Sequence, residues 1–295
     1  MTSLLRRVRT TLTIHARRPV WALLDGEYAS VFHGRSLEFD DLRPYVPGDE
    51  VKDVDWKATA RLGSLMTRRY IAQRKHTILL VVDTGRSMAA IAASGEPKRE
   101  LAVLAAGTIA SIAQRHGDLV GLVTGDAAGT ETVRPASSEA HLERLLQRIH
   151  DRSALDAAPG DLSAQLEHVL RVVPGRPIVV VITDDRPIDD AERAALRRLT
   201  VRHDVLWITI GDADLMASAH VGSGMRDVES AAALPAYLRR DRALAREFDE
   251  HVRASAELAE DTLRALGVAT VRIASSARVV TSLIRLLEAH RHARR

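Results

Sequence analysis

Length and composition already exclude several classes of protein. The 295 residues can form one large domain or two small ones, and a hydrophobic content of 46% is normal for a folded chain. Because there is no cysteine, disulfides, thiolate nucleophiles and zinc–cysteine sites are excluded. Only 3% of the residues are aromatic, and the net charge of +3 is spread over interspersed acids and bases. Stacking platforms and basic tails for nucleic acid are therefore not expected.

The N-terminal stretch of about 25 residues is basic and carries Leu5, Val8 and Leu12 at helical spacing. This spacing predicts a helix that packs against the rest of the chain, with a membrane-surface helix as the alternative. Arginines interrupt the apolar run, so it does not read as a signal peptide. No run of about 18 apolar residues occurs anywhere, so we expect a cytoplasmic protein without a membrane span and with at most peripheral membrane contact.

The next part of the chain has a different composition. Residues 36–69 are dense in Asp, Arg, Pro and Gly and show no clear period until 65–74, which predict an edge strand. We interpret residues 20–75 as an irregular lobe laid against the sheet. We therefore predict two parts. Residues 1–75 form an N-terminal segment with an irregular lobe, and residues 76–295 form an α/β domain.

From residue 76 onward, short β-branched runs alternate with longer helical patterns. The runs are continuously hydrophobic, which is typical of parallel strands buried on both faces. The alternation predicts a doubly wound, mostly parallel sheet. Residues 213–237 predict a long loop, and residues 237–267 predict a long charged helix. The predicted strands cover 76–83, 118–126, 176–185, 204–212 and 268–275.

The scan for catalytic motifs leaves one candidate, the turn VVDTGRSM at residues 81–88. Neither a phosphate-binding GxxxxGK(S/T) loop nor an HExxH or GxSxG motif is present. Asp83 and Ser87 offer a carboxylate and a hydroxyl from this turn, and Asp184 offers a carboxylate from a later strand end. Oxygen ligands at the carboxyl edge of such a sheet predict a site for Mg²⁺ or Mn²⁺. The structural alternative is that each Asp only caps a helix.

This arrangement resembles the metal-ion-dependent adhesion site of von Willebrand factor A domains. That pattern consists of Asp-x-Ser-x-Ser, a Thr from a second loop and a later Asp. Asp83, Ser87 and Asp184 match it, whereas Gly85 stands at the middle Ser and Gly160 at the Thr. The resemblance therefore implies a degenerate site that lacks two hydroxyl ligands. The candidate substitutes are Asp161 and Ser163.

The segment 26–61 resembles the signature of the DUF58 family, which runs roughly G…S…RG…EF.DLR.Y.PGD..R.IDW..(S/T)AR. His33 and Lys52 stand where Arg is usual. Two interpretations remain open for this segment. One is a lobe that holds the N-terminal region on the sheet through a paired charge network with Trp56 as its apolar anchor. The other is a recognition surface for a partner, and the two are not exclusive. The signature residues that we single out are Glu38, Asp41, Arg43, Tyr45, Asp49, Asp55, Trp56 and Arg61.

The resemblance implies a bacterial protein from the branch of the family without transmembrane helices. It further implies a chaperone-like accessory role to a MoxR-type AAA+ ATPase, in the assembly or maturation of client proteins. We therefore expect a non-enzymatic binding or adaptor module. One alternative is a metal-assisted hydrolase with Asp185 as its base, although neighbouring side chains on a strand point to opposite faces. The other is an arginine-driven binder of nucleic acid or a membrane surface.

Overall fold

The computed structural model describes residues 3–15, 18–33, 41–46, 54–69, 75–213, 227–228 and 242–293. Its strands belong to a small two-stranded sheet and a central six-stranded sheet. They are β1 (Asp41–Pro44), β2 (Met66–Arg69), β3 (Thr77–Asp83), β4 (Leu119–Asp126), β5 (Gly129–Ala136), β6 (Ile178–Asp184), β7 (Val205–Ile210) and β8 (Ala269–Ile273).

Helices cover both faces of the central sheet. In chain order they are α1 (Leu4–His15), α2 (Arg18–Tyr28), α3 (Trp56–Leu62), α4 (Lys98–Arg115), α5 (Glu139–Arg152), α6 (Leu162–Val172), α7 (Asp190–Arg202), α8 (Arg242–Ala265) and α9 (Val279–Ala293). Within the described ranges, none of these helices has both the length and the apolar character needed to cross a membrane.

The strand order of the central sheet is β5-β4-β3-β6-β7-β8. Pairing is parallel throughout, except that β5 runs antiparallel to β4. The first strand of this sheet, β3, lies at its centre. The next two strands, β4 and β5, lie on one side of it, and β6, β7 and β8 follow in order on the other side. The predicted doubly wound, mostly parallel fold is confirmed, and the strand order reverses between β3 and β6.

The edge strand β5 was not among the predicted strands. Its sequence, GTETVRPA, mixes partly buried and exposed residues and has no continuous hydrophobic run. Pro135 lies at a bulge in its pairing with β4. An edge strand needs only one covered face and tolerates proline, so it lacks the signal that marks buried parallel strands.

Alternate residues of β3 enter two separate hydrophobic cores. Leu80 and its neighbours at even positions pack under α4, α5 and α9, while Leu79 and Val81 pack under α6 and α7. This division follows from the two-residue period of a strand. Both faces of the sheet centre are therefore dry, and polar groups are concentrated at the strand ends.

The two N-terminal helices belong to the same core as the sheet. Leu5, Val8 and Leu12 of α1 are buried, as the helical spacing predicts. A Cβ atom on Gly107 of α4 would lie 2.8 Å from a methyl carbon of Val8, so α1 docks directly on that glycine. Tyr28 of α2 donates a 2.8 Å hydrogen bond to Asp118 beside the sheet. Both helices thus pack as part of the main body, although the sequence grouped them with the lobe.

In the rest of the N-terminal region, the described residues form a small two-stranded sheet with one short helix between its strands. β1 and β2 pair antiparallel, with Asp41 opposite Arg69, which places a strand at the predicted position near 65–74. Glu38 and Asp49 lie outside the described residues, as does nearly all of the predicted loop 213–237. The predicted long helix at 237–267 agrees with α8 in its described part.

Candidate functional site

Asp83 and Asp184 end the two strands that flank the reversal of strand order. Asp83 is the last residue of β3 and Asp184 the last residue of β6. Both are buried, with exposed fractions of 0% and 8%. Ser87 follows Asp83 on a short 3-10 helix, Arg86–Ala89, and is half-buried. The structure therefore brings the predicted residues to one edge of the sheet, where doubly wound folds bind ligands.

The Asp83 carboxylate is only partly satisfied. Its Oδ1 accepts a 2.9 Å hydrogen bond from the backbone N–H of Gly85. Its Oδ2 is buried and has no hydrogen-bond partner among the described residues. Burial raises the pKa of Asp83 to about 6, even though the Gly85 N–H and the Arg186 guanidinium act to lower it.

The two glycines that replace the expected hydroxyl ligands are required by a close approach of two loops. A Cβ atom on Gly160 would lie 2.7 Å from Asp83 Oδ2. A Cβ atom on Gly85 would lie 2.3 Å from the backbone nitrogen of Gly160. Backbone hydrogen bonds hold this contact, including one of 3.0 Å from the Arg86 N–H to the Ala158 carbonyl. A Ser at 85 or a Thr at 160 therefore has no room in this arrangement.

The candidate substitutes Asp161 and Ser163 have a different role. Asp161 is the N-cap of α6 and accepts a 2.9 Å hydrogen bond from the Ala164 N–H. Its Oδ1 also accepts a 2.8 Å hydrogen bond from the Ser163 hydroxyl. Both side chains therefore serve the start of α6.

Sequence reasoning missed Lys98, the residue that neutralises Asp184. Lys98 is fully buried, and its Nζ donates hydrogen bonds to Oδ1 of both Asp184 and Asp212. Burial acts to lower the pKa of Lys98, but the two carboxylates raise it above its usual value. A signal was available, because Lys98 begins α4 and a cation at a helix N-terminus opposes the helix dipole.

Two further ion pairs surround this cluster. Arg186 pairs with Glu192, whose carboxylate also closes the capping box with Asp189 at the start of α7. Asp185 pairs with Arg272 of β8, so the residue considered as a hydrolytic base is already engaged on the β8 side. The cations of these pairs are thus each matched with carboxylates of the protein itself.

The observed arrangement does not fit Mg²⁺ or Mn²⁺. Gly160 lies against the Asp83 carboxylate where an ion and its waters would need space, and Asp184 is already neutralised by Lys98. Among the described residues, no group of three or more His, Cys, Asp or Glu side chains is placed to hold a metal ion. Metal binding by Asp83, Ser87 and Asp184 stays a prediction, and this geometry argues against it.

In the signature segment, residues 26–61, the structure shows the contacts of Asp55 and the exposure of Trp56. Asp55 caps α3 by accepting hydrogen bonds of 2.9 and 3.0 Å from the Lys57 and Ala58 N–H groups. Trp56 is 65% exposed, and α3 has no buried residue. Trp56 is therefore not a buried apolar anchor, because its side chain points toward solvent, whereas the charge network of this segment stays a prediction. Arg61 is also exposed and Tyr45 is half-buried, and for Asp41 and Arg43 only the β1 backbone is described.

These features define a doubly wound α/β protein with a closed, charged site at the reversal of strand order. The chain belongs to the DUF58 family, whose model, described as a protein of unknown function, matches residues 41–258. The Mycobacterium tuberculosis protein named Uncharacterized protein Rv1480 is 30% identical over 226 residues, which cover 75% of this chain and 69% of that protein. A Mycobacterium bovis protein, Mb1516, matches to the same extent.

Solved structures show weaker similarity. An aerotolerance-related membrane protein from Bacteroides fragilis has 15% identity and a TM-score of 0.44, covering 72% of this chain and 98% of that chain. A von Willebrand factor type A protein from Catenulispora acidiphila has 12% identity and a TM-score of 0.40, covering 76% and 44%. At these scores, the similarities carry no conclusion about the site.

Proposed function

We propose that this protein is a non-enzymatic binding module that docks onto a partner through its DUF58 signature segment. Membership in the family supports the assignment of that segment as a shared feature. The single observation that carries the proposal is the exposure of Trp56 on α3. A large aromatic side chain left in water costs free energy, and such side chains often become binding anchors.

Two further apolar side chains of the same segment are exposed. Leu62 at the end of α3 and Leu65 in the following turn are 62% and 47% exposed. We call Trp56, Leu62 and Leu65 the signature surface. Exposed apolar side chains gathered in a short segment are a common feature of protein-binding sites.

The proposed partner is a MoxR-type AAA+ ATPase, and the proposed task is the assembly or maturation of client proteins. The family resemblance supports both. We propose that docking needs no metal and does not use the carboxyl edge of the sheet. Three cations at that edge are paired with carboxylates of the protein itself, so they do not serve a partner carboxylate: Lys98, Arg186 and Arg272. This replaces the idea of a metal-mediated grip on a partner carboxylate.

The test is a calorimetric titration of the MoxR-type ATPase of the same organism into the purified protein. Trp56→Ala should weaken binding about tenfold or more, because loss of a central aromatic anchor typically costs more than about 1.4 kcal/mol. EDTA should leave the affinity of the wild-type protein unchanged. Thermal unfolding of Trp56→Ala should match the wild type, since the side chain is exposed.

The matched control is Val201→Ala on α7, which truncates an apolar side chain that is 82% exposed on another surface. It should bind the ATPase as the wild type does. Equal loss of affinity in both variants, or no loss in Trp56→Ala, would contradict docking through the signature surface. Loss of binding in EDTA would contradict the metal-independent part of the proposal.

A further inference from the structure

Lys98 is the most unusual charged residue of the described structure. Its side chain is completely buried, and lysine is almost never buried unless it is paired. The ammonium donates to Asp184 at the end of β6 and to Asp212, two residues beyond the end of β7. A buried ammonium between two carboxylates is costly to assemble and costly to break.

The backbone around Lys98 keeps the ammonium in place. Its own N–H donates a 2.9 Å hydrogen bond to the Ala90 carbonyl in the turn after β3. The same turn reaches the end of β7, because Ala92 forms a β-bridge with Asp212 and the Ala213 N–H donates to the Ile91 carbonyl. The ammonium therefore joins the ends of β6 and β7, and the Lys98 backbone ties the same residue to the turn after β3.

Asp184 links this cluster to the predicted metal site. It is one of the three predicted ligands, and its Oδ1 accepts hydrogen bonds from both Lys98 and the Asp185 N–H. The space beside Asp83 is closed by Gly160. The predicted Mg²⁺ or Mn²⁺ ion would therefore compete with Lys98 for Asp184, and it would have no space beside Asp83.

We infer that the Lys98 ammonium takes the place of a divalent metal ion in this site. It supplies the positive charge that the carboxylates of Asp184 and Asp212 would otherwise obtain from such an ion. With Lys98 in place, the site binds no divalent metal. Without it, the buried Asp184 and the 44% exposed Asp212 lose their shared cation and together take up a hard divalent cation, because oxygen ligands of this kind suit Mn²⁺ and Mg²⁺.

The experiment measures Mn²⁺ binding by loss of the free-ion EPR signal, together with thermal unfolding, for wild type and Lys98→Ala. The wild type should bind no Mn²⁺ at submillimolar concentration. Lys98→Ala should bind it, and its Tm should be lower than wild type by roughly 10 °C without the metal. Millimolar Mn²⁺ should restore about half of that loss, because a bound ligand stabilises the folded state.

Two further variants make the result decisive. Adding Asp184→Asn to Lys98→Ala should abolish Mn²⁺ binding again. Lys57→Ala on the exposed face of α3 is the matched lysine control and should resemble the wild type. If Lys98→Ala is recovered only unfolded, the same titration is made with Lys98→Gln, which keeps a polar side chain of similar length.

Submillimolar Mn²⁺ binding by the wild type would overturn the inference. So would a Lys98 variant that folds but neither binds Mn²⁺ nor gains stability from it, since the ammonium would then be an ordinary buried ion pair. These readouts concern cation binding and unfolding alone. Their failure would leave docking through the signature surface untouched, and failure of that docking would leave them unchanged.

Discussion

Two buried charged residues at one edge of the sheet differ in how fully their charges are paired. Lys98 donates to two carboxylates, whereas Asp83 Oδ2 has no partner among the residues that the structure covers. Desolvation of an unpaired carboxylate is destabilising, so Asp83 weakens the fold whenever it is ionised. The residue that looks most like a metal ligand in the sequence is thus a local source of instability.

The pH dependence of stability should reveal this cost. The folded-state pKa of Asp83 is raised from 3.8 to about 6, so the folded protein binds this proton more tightly than the unfolded chain does. Stability should therefore fall as the pH rises from about 4 to about 6, by up to about 3 kcal/mol from this group. Asp83→Asn should be more stable than wild type at pH 7.5, and the difference should vanish below about pH 4.

Urea unfolding of both proteins across this pH range measures the effect. Asp190→Asn is the control, because the Asp190 side chain is 95% exposed and such exposed carboxylates typically contribute less than about 1 kcal/mol. If Asp83→Asn were less stable than wild type at pH 7.5, the carboxylate would have a stabilising partner at that pH, and a bound cation would again be the leading explanation.

Among the secondary-structure elements, α1 depends on a carboxylate from another helix. Glu143 of α5 accepts hydrogen bonds of 2.8 Å from the N–H groups of Leu4 and Leu5 and one of 2.7 Å from the Ser3 hydroxyl. These N–H groups belong to the first helical turn, where they have no partner inside the helix. Burial acts to raise the pKa of Glu143, but these hydrogen bonds lower it below its usual value. Glu143 therefore holds the beginning of α1 against α5.

Glu143→Ala should lower the free energy of unfolding by about 1 to 2 kcal/mol, as expected for the loss of a helix cap. It should also speed hydrogen exchange in α1 before the rest of the molecule opens, because the first turn of α1 loses its cap from α5. The effect should diminish as the pH falls through the lowered pKa, since the protonated Glu143 of the wild type is then a weaker acceptor.

Glu139→Ala serves as the control for Glu143→Ala. Glu139 also lies on α5 and contacts α1, through an ion pair with Arg9, but its side chain is 64% exposed. Exposed ion pairs typically contribute less than about 1 kcal/mol. Equal destabilisation by the two substitutions would mean that charge, and not capping, connects α5 to α1.

Across the molecule, the N-terminal helices complete the main hydrophobic core. Leu5, Leu12 and Leu24 are almost fully buried, and Tyr28 is buried beside Asp118. Each such side chain contributes roughly 1.5–3 kcal/mol on burial, against a typical total stability of about 5–15 kcal/mol. The main body therefore depends on a segment that the sequence assigns to another part of the chain.

A fragment of residues 76–295 should consequently fail to unfold cooperatively. It lacks α1 and α2, so the apolar faces of α4 and α9 would be exposed to water. Differential scanning calorimetry should show a broad transition for the fragment and a sharp one for the full chain, and the fragment should bind the dye ANS. Adding a separate peptide of residues 3–33 should restore part of the sharp transition. A sharp transition of the fragment alone would instead support the predicted division at residue 75.

Features that depend on local period and chain order can be inferred from the amino-acid sequence alone. The continuous hydrophobic runs predict five strands of the doubly wound sheet, and the spacing of Leu5, Val8 and Leu12 predicts the buried face of α1. Since parallel strands end at one edge, Asp83 and Asp184 are placed together by strand order and strand length alone. Local patterns suffice for these features because each is encoded within one segment.

What those residues do together depends on contacts between distant segments. Lys98 meets Asp184 across 86 residues of sequence and Asp212 across 114. The contact that forces glycine at 85 and 160 joins the turn after β3 to the loop before α6, 75 residues further along the chain. Such contacts require that segments remote in the chain are placed to within less than about 1 Å. The periodicity of a local sequence pattern contains no information about that placement. The same residues that predict a metal site in sequence therefore form, in space, a closed site with a lysine as its cation.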